Sequence, residues 1–334
     1  MNHLIIFEYL TAHPQKKLYQ NKDNLMEGIR MIDKISLDFK KSNQIKKISV
    51  IRHSSLNFTK NKSINYFLTS KNNNWIDILK KLDQKYAKVL IIAPESDNIF
   101  SKTLKKILSL GFQTLNSELK EIRRFSSKVK TFTSLKKIRL PCVETFTSIR
   151  EIKYFKSKFI VKPIFSAGSE NIFIVKSFKD LKLIAPKITF PFVIQYFKPT
   201  LSGSFAMICK NKKANLISCN EHILKYKSKS LKQIGSNIGK FEKYRNDFEI
   251  IAKSLATNFS GLYGYIGVDV ILEDKVWKVV DVNARFTSSY LGIKKKYGIE
   301  IKNKIIDFYC KNKLDKSMMI KTNNKNINYL FIDD

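Results

Sequence analysis

Cysteine is scarce: the four, Cys142, Cys209, Cys219 and Cys310, form no CxxC pair and have no histidine at metal-ligand spacing. Neither a disulfide framework nor a zinc site is supported, and a reducing compartment is expected. The four histidines, His3, His13, His53 and His222, make no metal pattern; His222, which follows a strand into the expected cleft, is the one to test. No uninterrupted apolar run approaches the roughly 18 residues that span a bilayer. The apolar start, Leu4 to Tyr9, is too short for a signal sequence and contains Glu8. A cytoplasmic protein without a membrane partner is therefore expected. GxSxG, GxxxxGKS/T and GxGxxG after the first strand are all missing, so serine-hydrolase, P-loop and dinucleotide-binding readings lack their parts.

Acidic residues are few as well, 28 against 62 basic ones, for a formal charge of +34. Such a field suggests a polyanionic partner, because clustered Lys and Arg displace counterions from phosphate backbones. Only eight of the 62 are Arg, however, and the lysines are spread among abundant Asn and Ile. That mixture points to base composition of the genome, so nucleic acid is not the expected partner. A field of this sign still helps recruit ATP or an acidic substrate.

Large apolar side chains are plentiful, with 24 Phe and 14 Tyr in 334 residues. The length suffices for two or three lobes sharing a cleft. The first third alternates strands (Leu4 to Tyr9, Lys47 to Arg52, Lys88 to Ala93) with helices (Asn24 to Phe39, Ser101 to Leu110), which predicts a parallel sheet wrapped by helices. Gly111 suits the C-terminal stop of the second helix. A helical linker is predicted over Asn116 to Ile138. Phe159 to Pro163 and Ile172 to Val175 follow as strands joined by the loop Ser166-Ala167-Gly168-Ser169, opening an antiparallel lobe. Further strands are expected at Phe192 to Tyr196, Ser204 to Cys209, Ala214 to Cys219, Tyr265 to Leu272 and Trp277 to Val282. An amphipathic helix over Phe241 to Phe259 presents Phe241, Tyr244, Phe248, Ile251, Leu255 and Phe259 on one face, which reads as core. A final helix over Ile299 to Phe308 and a loosely held polar tail complete the chain. The expected units are 1–115, 116–200, 201–313 and 314–334.

The chemistry concentrates near the end. Period-two alternation puts Gly267, Asp269 and Ile271 on one face, and Asp281 and Asn283 share a face of the next strand. A turn around Glu273 to Lys275 brings these faces together, so three oxygen ligands converge. Such hard donors suit Mg²⁺, or Mn²⁺, bound with phosphate oxygens, and Arg285 can offset charge on a transferring phosphoryl group. The plainer alternative is a hairpin with solvated acids.

Val279 to Arg285 (VVDVNAR) resembles the E-x-N-x-R element of the ATP-grasp superfamily, with Asp281 where Glu is usual. The resemblance implies a mixed α/β and α+β ATP-grasp fold: a parallel-sheet lobe plus two lobes enclosing a nucleotide. It makes Lys128, at the head of a helix, and Lys162, in FIVKP, the phosphate-binding lysines. Ser166, Ala167, Gly168 and Ser169 become a phosphate-covering loop, although it is poor in glycine. Gln195, Tyr196 and Phe197 become the hinge that holds adenine. ATP is the implied cofactor. A narrower similarity, to tyramine–glutamate ligases of methanofuran biosynthesis and their relatives in methylotrophic bacteria, rests on Phe7-Glu8-Tyr9, Glu27-Gly28-Ile29-Arg30-Met31 with Asp38-Phe39, Ala93 to Asp97, and Thr287 to Gly292. It implies an acid–amine ligase that joins glutamate to tyramine or tyrosine. Ser288, Ser289 and Tyr290 then line the acceptor pocket or, alternatively, cap a helix. Pro94-Glu95 either touches substrate or merely ends a strand. Small carboxylates and amines are the implied partners, and a homodimer is compatible. Two other readings stay open: an ATP-grasp amino-acid or peptide ligase with another substrate pair, and a non-catalytic basic nucleic-acid binder.

Overall fold

The computed structural model describes residues 1–13, 22–153, 158–166, 171–197, 200–227, 230–315 and 327–330. The N-terminal unit runs β1 (His3–Glu8), α1 (Tyr9–Ala12), α2 (Lys22–Lys40), β2 (Lys47–His53), β3 (Asn65–Thr69), α3 (Trp75–Lys80), β4 (Ala87–Ile92), α4 (Ile99–Ser109) and β5 (Gln113–Thr114). Its five strands form a parallel sheet in the order β3-β2-β1-β4-β5. β1 is apolar almost throughout because both faces are covered. Leu4 and Ile6 join Met31, Ile32, Ile35 and Phe39 of α2, while Ile5 and Phe7 join Trp75, Leu104 and Ile107 on the other side. Gly111, at φ +85°, ends α4 as expected. β3 was not foreseen, since its half-exposed edge position leaves only Thr69 fully buried.

In this order the chain turns outward from β1 through β2 and β3, then crosses back to β4. The carboxyl ends of β1 and β4 therefore flank a topological switch point, where open α/β sheets bind ligands. Glu8, paired with Ile92 across β1 and β4, and Glu95, just past β4, stand at that edge.

The linker is two helices, α5 (Leu119–Phe125) and α6 (Lys128–Lys137). The rest is built on one ten-stranded sheet. Its small half holds β6 (Thr145–Phe146), β7 (Lys158–Pro163), β8 (Phe173–Val175) and β9 (Phe192–Phe197), backed by α7 (Phe178–Ile184). Phe159, Val161, Leu181 and Ile194 form its separate core. The large half holds β10 (Leu201–Lys210), β11 (Lys213–Lys227), β12 (Ser230–Ile238), β13 (Gly264–Glu273) and β14 (Val276–Asn283), with α8 (Arg245–Asn258) and α9 (Tyr290–Lys311). Among the described residues the two halves are joined in the sheet by one pair, Ser230 with Phe173.

The amphipathic face of α8 packs as core: Phe248 stacks on Phe205 at 5.3 Å and lies 4.8 Å from Trp277. Two expectations need correction. The final helix begins at Tyr290 rather than Ile299, with a break at Gly298, whose φ of +83° only a residue without Cβ adopts readily. The tail is not uniformly loose, because β15 (Ile327–Leu330) pairs antiparallel with β12 and Arg30 donates to the Leu330 carbonyl. A four-residue strand alternating half-buried and exposed positions carries too little periodic signal to read in advance. No described helix is long and apolar enough to cross a membrane.

Candidate active site

β13 and β14 form the expected hairpin. Asp274 and Lys275 take positive φ angles of 50° and 63° at its two-residue turn, the twist that suits a tight hairpin. The register places Asp269 opposite Asp281 and Gly267 opposite Asn283, so the three predicted ligands share one face. Asn283 Nδ2 donates to Asp269 Oδ2 at 3.1 Å. Gly267 keeps this face open: a Cβ there would lie 2.5 Å from the Thr287 methyl group.

The two predicted lysines arrive from separate elements. Lys128 opens α6, whose N-cap is Ser127 with its hydroxyl accepting from the Lys130 amide. Lys162 projects from β7. Their ammonium groups lie 3.5 and 3.8 Å from the same oxygen, Asp281 Oδ2, although both side chains are nearly inaccessible. Burial pulls the Lys162 pKa down to about 8, aided by neighbouring Lys128 and opposed by Asp281. Lys128 also donates to the Ser166 carbonyl at 3.1 Å, tying it to the foot of the predicted phosphate loop. Ala167, Gly168 and Ser169 lie outside the described residues.

Gln195, Tyr196 and Phe197 line the cleft at the end of β9. The Gln195 side chain donates to Thr145 Oγ1 at 2.8 Å, which leaves the segment's backbone, rather than that amide, as the available recognition element. β6 pairs with β9 at Ile194 and Gln195, while β7 pairs with β9 along its whole length, from Pro163 with Phe192 to Lys158 with Phe197.

Sequence reasoning singled out His222 without a role. In the structure its Nε2 lies 3.5 Å from Asp269 Oδ1, and its Nδ1 is 3.1 Å from Ser202 Oγ. Burial pushes the Asp269 carboxyl up, but His222 and Asn283 outweigh it and hold the pKa below the ordinary value. The period-two alternation of β11 puts His222 on the cleft face; a longer predicted strand there would have shown it.

Arg285 is held from the far end of the sequence. Its Nε and Nη2 donate to the two oxygens of Glu95 at 2.8 and 2.7 Å, and Nη1 donates to the Phe286 carbonyl. Of the predicted acceptor residues, Ser288 and Ser289 line the cleft. Tyr290 does not: it is buried and its hydroxyl donates to Asp38 at 3.1 Å. As the first residue of α9 it points into the core shared with α2, where Phe286 meets it edge-on at 5.0 Å. Ser289, at the N-cap position, makes no capping hydrogen bond and lies 3.0 Å from the Tyr265 hydroxyl.

Residues 125–289 match the family model of the ATP-grasp domain. The chain is 24% identical over 296 residues to tyramine–L-glutamate ligase of Methanocaldococcus jannaschii, covering 87% of this chain and 84% of that protein. Among solved structures it is similar to an ATP-grasp superfamily protein from Archaeoglobus fulgidus, with a TM-score of 0.68 and 21% identity over 91% of this chain and 88% of that one. N5-carboxyaminoimidazole synthetase from Staphylococcus aureus, complexed with ADP, gives a TM-score of 0.67 and 15% identity over 96% and 81%. The chain carries an ATP-grasp domain in an ATP-grasp fold, and it is an enzyme of the C–N ligase kind.

Proposed function

We propose that the cleft joins glutamate to tyramine or tyrosine at the expense of ATP, as a step toward a methanofuran-type coenzyme. The observation that carries the ligase site is the meeting of Lys128, Lys162 and Asp281 opposite Asp269 and Asn283. The substrate pair is supported by the tyramine–L-glutamate ligase similarity over most of the chain.

Mg²⁺ or Mn²⁺ fits the donors present. Two carboxylates and an amide share one face, and two ammonium groups already gather at Asp281, where positive charge is favoured. Among the described residues no three or more His, Cys, Asp and Glu are placed to hold a metal ion by themselves, so the set rests on Asp269, Asp281 and Asn283. A bound divalent ion there would draw phosphate oxygens together and offset their charge.

Lys128 and Lys162 hold phosphate oxygens, and the end of β9 receives adenine through its backbone. A carboxylate oxygen of the acid attacks the γ-phosphorus and ADP departs, leaving an acyl phosphate. The amine nitrogen then attacks the acyl carbon, the bond to the phosphate oxygen breaks, and the nitrogen loses a proton as phosphate leaves. Arg285, fixed by Glu95, keeps positive charge beside Asp269 while negative charge develops. No side chain of this site acts as nucleophile.

The test is ADP release measured with glutamate, tyramine, both and neither. Release that needs both, and that falls at least about 100-fold in Asp281→Ala and in Arg285→Ala, is the expected outcome. Full turnover by both variants would remove the site assignment. Turnover with a different acid and amine would move the chain to another ligase specificity.

A further inference from the structure

The cleft has a second charged wall that the phosphate chemistry leaves unused. Asp23, Asn24 and Glu27, all from α2, line the same cavity as Lys162, Asp281, Arg285 and Ser288. Asp23 is already bridged to Lys232 of β12. Glu95 occupies the Arg285 fork with both its oxygens. Glu27 is different: its charged form is favoured by Arg285, the Ser288 hydroxyl and Arg30, yet it takes no share of that fork. Burial works against the charge and raises its pKa, with Glu95 adding to the effect. A carboxylate has about four acceptor positions, so Glu27 keeps capacity for a ligand donor.

Its position is closely set. α2 approaches β1 at Gly28, where a Cβ would stand 2.8 Å from the Glu8 carboxyl carbon. Glu8 is itself held by the amides of Leu10 and Thr11, at 3.1 and 2.7 Å. The glycine beside Glu27 thus seats the helix on the carboxyl end of β1, at the switch point of the sheet. Arg285, paired with Glu95, lies within electrostatic reach of both Glu27 and Asp269. A group bound at Glu27 therefore shares one cavity with Lys162, Asp269 and Asp281, where the phosphate chemistry is proposed.

We propose that Glu27 anchors the ammonium group of a cationic primary amine, the acceptor of the ligation, and takes one of its protons so that the nitrogen lone pair is free to attack; this rests on the ligase reading above. Ser288 orients the carboxylate, and Glu95 keeps Arg285 from closing over it.

The experiment uses the full chain, L-glutamate and ATP with either tyramine, which is cationic at neutral pH, or hydroxylamine, which is largely neutral and traps an acyl phosphate as hydroxamate. In Glu27→Gln the KM for tyramine should rise about 10- to 100-fold, the range expected for losing one charged hydrogen bond. The KM for glutamate in the hydroxylamine reaction should stay within about twofold. Glu27→Asp, which keeps the charge and shortens the reach, should fall between, and it carries the test should the Gln variant not fold. An unchanged tyramine KM would overturn the proposal while leaving the ligase reading intact. A parallel rise in the glutamate KM would reassign Glu27 to the acid. Failure of the unmodified protein to form any hydroxamate would remove the ligase reading and this proposal together.

Discussion

On the β7–β14 side of the cleft, Lys128 and Lys162 stand 3.5 and 3.8 Å from one oxygen of Asp281, longer than good charged hydrogen bonds. On the N-terminal side, Glu95 grips Arg285 through two bonds of 2.8 and 2.7 Å. Both clusters are poorly accessible, so the low dielectric strengthens each. The first set is gathered yet unsaturated, with ammonium protons to spare for ligand oxygens. The second is closed upon itself and joins residues 190 positions apart, clamping the parallel-sheet unit to the end of the β13–β14 hairpin. Charge alone does not mark a binding group; unsatisfied capacity in a cleft does.

The sharpest way to break this contrast is to remove one member from each side. Lys162→Met should weaken ATP binding by about 10- to 100-fold, the loss of one charge-assisted contact, without lowering stability, because a desolvated ammonium is replaced by an apolar chain of similar volume. ATP affinity by calorimetry and a urea unfolding curve check both halves; a marked loss of stability would place Lys162 with the structural pairs.

Glu95→Ala should act in the opposite sense. It leaves the buried Arg285 fork without its bidentate partner, at a cost of about 3 kcal/mol. Chemical denaturation reads that loss, and an unchanged midpoint would show that the clamp contributes nothing to the fold.

A smaller effect is expected from pH. Burial raises Glu8 from an ordinary 4.5 to about 7, against the opposing pull of its bonds from Thr11 and Leu10. For an acid shifted upward, stability is fully present below the unfolded value and is lost as pH rises through the folded one. Between pH 4.5 and 7 the loss from this group is at most roughly 3 kcal/mol. Glu8→Gln should flatten that slope in unfolding curves taken at several pH values; an unaltered slope would mean that other groups set it.

The sequence made the β13–β14 hairpin readable because its signal is local. Asp269, Asp281 and Asn283 lie on two consecutive strands, where period two and one turn decide which side chains share a face. The acceptor side was only half readable. Glu27-Gly28 and Pro94-Glu95 stood out as short motifs, but nothing near either of them points to Arg285 or Ser288. Tyr290 illustrates the limit: next to two cleft-lining serines, it turns into the core because the first turn of α9 rotates it toward Asp38. β15 was missed for a related reason, since four residues gain their strand character only from pairing with β12.

The amino-acid sequence by itself determined the class of fold, the order of lysines, hinge and acids, and the hairpin that aligns the acids, because each follows from local periodicity or a short motif. Only the tertiary structure decided that Glu95 takes Arg285, that His222 leans on Asp269, and that Glu27 is left facing the cleft. Those outcomes depend on which carboxyl ends meet at the switch point of a parallel sheet, and that meeting is set by long-range packing.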